Sequence, residues 1–209
     1  MKDFLIVFSS ILIIAYLSSC IKFESINEPP EVKEIPDSTN YFEYYPLDIG
    51  NYWEYGDIDR SRFSVEVIGD TIIQKKLFRV LREIRFSSKM DTSFSYERID
   101  SSLCYVFTFD PFYNSEFKLD SLAAPKGKFY EGSRFVSRGP WISYRVKCES
   151  IDTITIFNEK FETKSLQFYG ATDLPSYILV KGLGLYQTFF FRAGGYILKS
   201  AIIKGKYYN

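Results

Sequence analysis

From residue 41 onward, apolar and polar residues alternate over short runs, which is the pattern of β-strands that bury one face. In the clearest run, ISYRVKC (142–148), every second side chain is apolar. RFSVEV (62–67) shows the same period, with its apolar side chains predicted to face inward. In SLCYVFTF (102–109), the residues predicted to share the core face are Leu103, Tyr105, Phe107 and Phe109. The remaining predicted strands are 51–58, 71–74, 77–86, 92–99, 114–119, 153–157, 161–169, 184–191 and 196–204.

No segment shows a convincing helical period of 3.6 residues over three turns, so the sequence predicts an all-β fold. A chain of 209 residues suits one sizeable core, and we expect a single antiparallel domain over 41–209. About eleven strands in one open sheet would leave long edges. We therefore expect a strongly curved sheet or a partly closed barrel.

Two stretches of the domain resemble each other. VEVIGDTIIQKKLFRV (65–80) and VKCESIDTITIFNEKFET (146–163) share a V-x-[VC] strand, a D-T-I start, a polar turn containing Lys, and a Phe on the return strand. The pattern predicts two related hairpins. An internal duplication is one explanation, and the common features of β-hairpins are the other.

Composition narrows the choice of partners. The 26 Lys and Arg residues balance 26 Asp and Glu residues, and the basic residues are scattered, so a nucleic-acid partner is not expected. Aromatic residues are 19% of the chain, with 20 Phe and 17 Tyr, which fits pleated, half-buried surfaces. We expect them mainly to pack the core, with a ligand cavity as the alternative.

The N-terminus is predicted to carry a secretion signal. FLIVFSSILIIAYL (4–17) is mainly apolar, but as a helix it would span about 21 Å, short of the roughly 30 Å hydrocarbon core. A signal peptide over 1–19 is therefore favoured over a membrane-spanning helix. Leu17-Ser18-Ser19-Cys20 resembles the bacterial lipobox, which implies acylation of Cys20 and cleavage before it. Acyl chains on Cys20 would make the membrane itself a partner. The alternatives are an ordinary signal peptide with a chance cysteine, or an uncleaved anchor.

The segment 20–40 is predicted to be the lipidated cysteine followed by a disordered tether. It is rich in Glu and Pro and has no apolar period. In the enterobacterial sorting convention, Asp after the lipidated cysteine retains a lipoprotein in the inner membrane. Ile21 follows here, so we expect the cell envelope, with the outer membrane favoured over the inner if the organism has one.

YYPLDIGNYWEYG (44–56) opens the domain, with a turn before the first strand. It resembles a group of bacterial secreted proteins and lipoproteins that begin with P-L-x-x-G-x-x-W-x-Y. YILVKGLGLYQ (177–187) resembles the K-G-x-G-L element of that group, and LKSAIIKGKYY (198–208) its closing strand. The resemblance implies one complete domain and brings no known activity. The glycines of KGLGLY (181–186) predict a tight turn, since the strand–helix context of dinucleotide binding is missing.

No constellation for catalysis or for a cofactor stands out. The chain has no histidine, the commonest general base and transition-metal ligand. SEFK (115–118) has the S-x-x-K spacing, but strand alternation puts its Ser and Lys on opposite sides. Carboxylates at strand ends, such as Asp100 and Asp120, suit turns. No Cys/His cluster or calcium loop indicates a metal. We expect neither an enzyme nor a cofactor.

Cys104 and Cys148 form an even pair once Cys20 is assigned to lipid. An oxidising compartment would permit a disulfide between them. Strand alternation puts Cys148 on the apolar face and Cys104 opposite Leu103 and Tyr105, so the two thiols are predicted on opposite sides of the sheet. Free thiols are therefore favoured, with Cys148 buried.

The leading hypothesis for function is a non-catalytic binding module for an apolar or amphiphilic ligand, held in the concave face of the sheet. The alternative is a structural or assembly partner of a cell-envelope protein complex, which predicts an exposed apolar patch or an unpaired strand edge. Trp53 and Trp141 are the candidate ligand-binding residues, although a tryptophan on a strand usually packs in the core.

Overall fold

The computed structural model describes residues 41–57, 62–86, 90–135, 141–169, 176–190 and 194–209, all within the compact unit Glu34–Asn209. They form thirteen strands and one four-residue 3-10 helix, Tyr41–Tyr44. The strands are β1 (Tyr52–Asp57), β2 (Arg62–Ile73), β3 (Lys76–Phe86), β4 (Met90–Asp100), β5 (Tyr105–Asp110), β6 (Ser115–Ser121), β7 (Phe129–Phe135), β8 (Trp141–Ile156), β9 (Glu159–Tyr169), β10 (Ser176–Val180), β11 (Gly184–Phe190), β12 (Gly194–Ile203) and β13 (Lys206–Tyr208). Among these residues no helix is long and apolar enough to span a membrane.

All thirteen strands belong to one antiparallel sheet that is nearly closed on itself. The chain runs as a meander from β1 to β6, continues into β7, and returns as a meander to β12, which pairs with β1. β13 extends the sheet from β12. The two ends of the sheet, β6 and β7, meet closely, because a Cβ on Gly132 would lie 2.6 Å from the carbonyl oxygen of Leu119. The expected all-β, barrel-like fold is confirmed.

The thirteen strands differ from the expected eleven in two ways: predicted strands merge, which lowers the count, and three unpredicted strands raise it. The predicted strands 62–67 and 71–74 are parts of β2, and 142–148 and 153–157 are parts of β8. A β-bulge follows Val67 in the first case and Cys148 in the second, so the ladder continues through polar residues that predicted a turn. The strands that the alternation did not predict are β7, β10 and β13.

The predicted core face of 102–109 is confirmed only in part, because Phe109 is buried and Leu103 is not. Residues 101–104 form a turn, Leu103 is exposed, and the buried residues of β5 include Val106 and Thr108 on the opposite face. Phe109 lies 5.9 Å from Phe78 of β3, ring centre to ring centre, and both rings are buried. Tyr105 is partly buried against the core cluster that contains Val106, so both faces of β5 contribute to packing.

The two halves of the meander repeat the same backbone contacts. Gly50 donates to the carbonyl of Val67 at 2.8 Å, and Gly127 donates to the carbonyl of Cys148 at 2.7 Å. The amide of Val67 in turn donates to the carbonyl of Asn51, and the amide of Cys148 donates to the carbonyl of Lys128. In both halves a β-bulge follows immediately after this strand residue. The β1–β2–β3 unit therefore corresponds to the β7–β8–β9 unit. The β8–β9 hairpin is longer, so its D-T-I segment does not pair at the same level as that of β2.

Candidate functional site

A cavity of about 330 Å³ lies beside β1, β2 and β3, and we call it the inner cavity. Its walls come from β1 to β4 and from β10 to β12. Two rows of paired residues build one wall: Trp53–Val65–Glu83 and Tyr55–Phe63–Arg85 across β1, β2 and β3. The aromatic residues from the strands that line it are Trp53, Tyr55, Phe63, Tyr177 and Tyr196.

The corresponding place in the second half of the sheet is filled. There the row Tyr130–Val146–Phe168 crosses β7, β8 and β9, and all three side chains are buried in a hydrophobic cluster. Phe168 thus stands where the first half has Glu83. An aromatic ring packs the interior in one half, and a carboxylate beside a cavity takes its place in the other.

Charged groups line the inner cavity at two places: the Arg85–Glu83 pair on β3, and Glu97 on β4. Arg85 donates to Glu83 over 2.5 Å, and this contact raises the pKa of the Arg85 guanidinium. Glu97 of β4 is 9% exposed and accepts a hydrogen bond of 2.8 Å from the hydroxyl of Tyr45. Burial, and then the charge of Glu97, raise the pKa of Tyr55, which keeps this hydroxyl protonated. The cavity therefore combines aromatic walls with a few polar groups, as ligand sites commonly do.

The segment Tyr41–Asp48, which we call the strap, forms a wall of the inner cavity and separates it from a second cavity. This outer cavity has a volume of about 770 Å³. Tyr45, Pro46, Leu47 and Glu97 line both cavities. The outer cavity also contacts Arg79, Arg98, Lys204 and Lys206, each of which has an acidic partner.

The two motifs at the ends of the domain meet beside the strap. The indole Nε1 of Trp53 donates to the carbonyl of Leu183 at 2.6 Å. The hydroxyl of Tyr55 donates to the carbonyl of Leu185 at 2.9 Å. Gly184 has a φ of 89°, and a Cβ there would lie 3.3 Å from Cδ of Pro46. The glycine-containing turn is thus a close-packed support for the Trp-containing strand, in agreement with the predicted tight turn.

Lys164 on β9 is a buried charge that sequence reasoning missed. It is 2% exposed, and its Nζ donates to the carbonyls of Leu122 and Ala124. The same Nζ lies 4.9 Å from the ring centres of both Tyr41 and Tyr44. Burial lowers the pKa of Lys164 to about 8. The amine is therefore mainly protonated at pH 7.

The predicted site residues fall in different places. Trp53 lines the inner cavity, whereas the side chain of Trp141 lies outside the described residues. Cys20 and its signal residues Leu17, Ser18 and Ser19 also lie outside them.

Cys104 and Cys148 are both buried free thiols, and burial raises the pKa of each. The predicted opposite placement of the two thiols rested on continuing the alternation of β5 back to Cys104. That residue lies in the turn before β5 with a φ of 53°, where alternation does not apply. Both thiols lie in the neighbourhood of the Lys164 amine.

Within the described ranges, no three His, Cys, Asp or Glu side chains come together to form a metal site. Comparison of the chain with family models, curated proteins and solved structures gave no match in any of the three.

Proposed function

We propose that this protein is a non-catalytic binding module that holds an apolar or amphiphilic ligand in the inner cavity. The observation that carries the proposal is the contrast between the two halves of the sheet. Where Phe168 fills the second half, the first half has Glu83 at the side of a cavity of about 330 Å³ with aromatic walls. This volume lies at the lower end of the range for small-molecule sites.

The cavity volume sets the size of the ligand. At roughly 30 Å³ for each non-hydrogen atom, the share of one water in the liquid, the cavity holds about eleven such atoms. A short acyl chain with a small polar end fits this size. The Arg85–Glu83 pair and Glu97 supply polar groups for that end.

The test is titration of the protein with 1-octanol, followed by calorimetry and by backbone NMR shifts. We expect saturable binding, with the largest shifts around Trp53, Phe63 and Tyr196. Val65→Phe extends a ring into the cavity and should abolish binding while changing stability by less than about 1 kcal/mol, because the added volume has space to occupy.

Val146→Phe is the matched control. Val146 is the equivalent residue of the second half and is fully buried in a filled core, so the same change should lower the free energy of unfolding by about 1–3 kcal/mol. Equal destabilisation by the two substitutions, together with no response to 1-octanol, would show that the first half has no usable cavity and would reject the proposal.

We propose further that acyl chains on Cys20 anchor this module to a bacterial membrane. The support is the apolar segment 4–17 followed by Leu17-Ser18-Ser19-Cys20. In cells supplied with labelled palmitate, the wild-type chain should incorporate label and Cys20→Ala should not. Cys104→Ala is the control and should keep the label; label retained on Cys20→Ala would refute the anchor.

A further inference from the structure

The strap reaches across one end of the sheet and is attached on both sides. On one side the hydroxyl of Tyr44 donates to Glu162 of β9 at 2.6 Å. On the other side the hydroxyl of Tyr45 donates to Glu97 of β4 at 2.8 Å. Between these points the amide of Gly182 donates to the carbonyl of Glu43 at 2.8 Å. Contacts to both halves of the sheet therefore hold the wall between the two cavities, together with the burial of Tyr44 in the core.

Lys164 is the centre of the attachment on the β9 side. Its ammonium donates hydrogen bonds to the carbonyls of Leu122 and Ala124. The ring centres of Tyr41 and Tyr44 each lie 4.9 Å from its Nζ. Both rings belong to the strap. An ammonium that has lost its water gains most from aromatic faces, so these contacts favour the docked strap.

We propose that the strap is the closure of the inner cavity and that Lys164 is the positioning residue that latches it. Ligand enters from the outer cavity when the strap lifts, because Tyr45, Pro46 and Leu47 are the wall that the two cavities share. The entry route rests on the proposed binding function. The latch itself does not, since it concerns contacts within the chain alone.

The surroundings of Lys164 explain why a charged residue serves here. The titratable and charged groups that face it are Tyr41 and Tyr44 from the strap, Cys104 before β5, Cys148 from β8, Glu162 from its own strand and Lys181 after β10. A methionine would fill a similar volume but would leave the carbonyls of Leu122 and Ala124 without this donor. It would also remove both cation–π contacts to the strap.

The experiment compares Lys164→Met with Lys160→Met, an exposed lysine on the same strand, and reads hydrogen exchange at the amide of Gly182. This amide lies outside the strap but bonds to it, so its protection reports docking. We expect exchange at least about tenfold faster in Lys164→Met, with amides in the middle of β9 unchanged. Tyr41→Leu, which alters only the strap, should act in the same direction.

The association rate of 1-octanol, measured on the same variants by NMR exchange, tests the entry route. It should rise in Lys164→Met and remain at the wild-type value in Lys160→Met. Unchanged protection of Gly182 in both Lys164→Met and Tyr41→Leu would overturn the latch. Faster exchange at Gly182 with an unchanged association rate would overturn the entry route. If 1-octanol binds to none of the proteins, the binding function fails and Gly182 alone decides the latch.

Discussion

The buried amine of Lys164 should make stability depend on pH in a way that one substitution removes. Its pKa is about 8 in the folded protein and 10.5 for a free lysine side chain. Between these values the unfolded chain binds more protons than the folded protein, so the free energy of unfolding rises with pH. Above a pH of about 10.5 the amine is neutral in both states, and burying it costs no charge desolvation. This gain in the free energy of unfolding is lost as the pH falls through 8, where the buried amine becomes charged. Lys164→Met removes the titrating group at similar volume.

The magnitude follows from the two pKa values. A difference of about 2.5 units corresponds to roughly 3 kcal/mol over the whole window, at 1.36 kcal/mol for each unit. From pH 7 to pH 9, below the ionisation of most tyrosines, the expected gain is roughly 1–2 kcal/mol. Burial at 2% exposure leaves little solvent to reduce this figure.

The assay is urea unfolding of the wild type and of Lys164→Met at half-unit steps from pH 7 to pH 9. The quantity to compare is the difference in the free energy of unfolding between the wild type and Lys164→Met at each pH. The buried thiols of Cys104 and Cys148, whose raised pKa values act in the opposite direction, are present in both. The wild type should gain stability relative to the variant as the pH rises. Parallel curves would refute the view that Lys164 titrates within the folded protein near pH 8.

Two further substitutions test contacts that hold the sheet in shape. Trp53→Phe should lower the free energy of unfolding by about 2–4 kcal/mol in urea, because it removes ring volume and leaves the buried carbonyl of Leu183 without its donor. Gly132→Ala should raise the unfolding rate, since its Cβ would meet the carbonyl oxygen of Leu119 at 2.6 Å, whereas Gly69→Ala, with no atom within 4 Å, should leave it nearly unchanged. Similar effects of the two alanines would show that β6 and β7 do not meet as described.

Alternation was a good guide to the sheet and a poor guide to its bulges. The inward faces of 62–67 and 142–148 are confirmed by the burial of Val67, Val146 and Cys148. A bulge shifts the alternation by one residue and leaves no reliable sequence mark, so each long strand was predicted as two. β7 was missed because it contains Gly132, which the close approach of β6 requires.

The charged residues of the site did carry a sequence signal. Lys164, which is 2% exposed, lies in phase with Leu166 and Phe168 along β9, and the partly buried Glu83 lies in phase with Leu81 along β3. A charged residue on an inward-facing phase is costly unless it is paired or hydrogen-bonded, so it marks a place with a specific partner. The partners themselves could not be predicted, because the strap and the Leu122–Ala124 segment reach Lys164 only through the tertiary fold.

The paired rows of the two halves give the strongest reason to regard the cavity as functional. Both halves use the same backbone contacts, so the same sheet geometry could hold the row Tyr130–Val146–Phe168 in either place. Filling an interior space with an aromatic ring gains both hydrophobic and dispersion energy, and leaving it empty forgoes that gain. The first half forgoes it at Glu83, whose partly exposed carboxylate pairs with the mainly exposed Arg85 over 2.5 Å. Stability alone favours the arrangement of the second half. The space in the first half is therefore better explained by a ligand than by packing, and Val65→Phe beside Val146→Phe measures that difference within one chain.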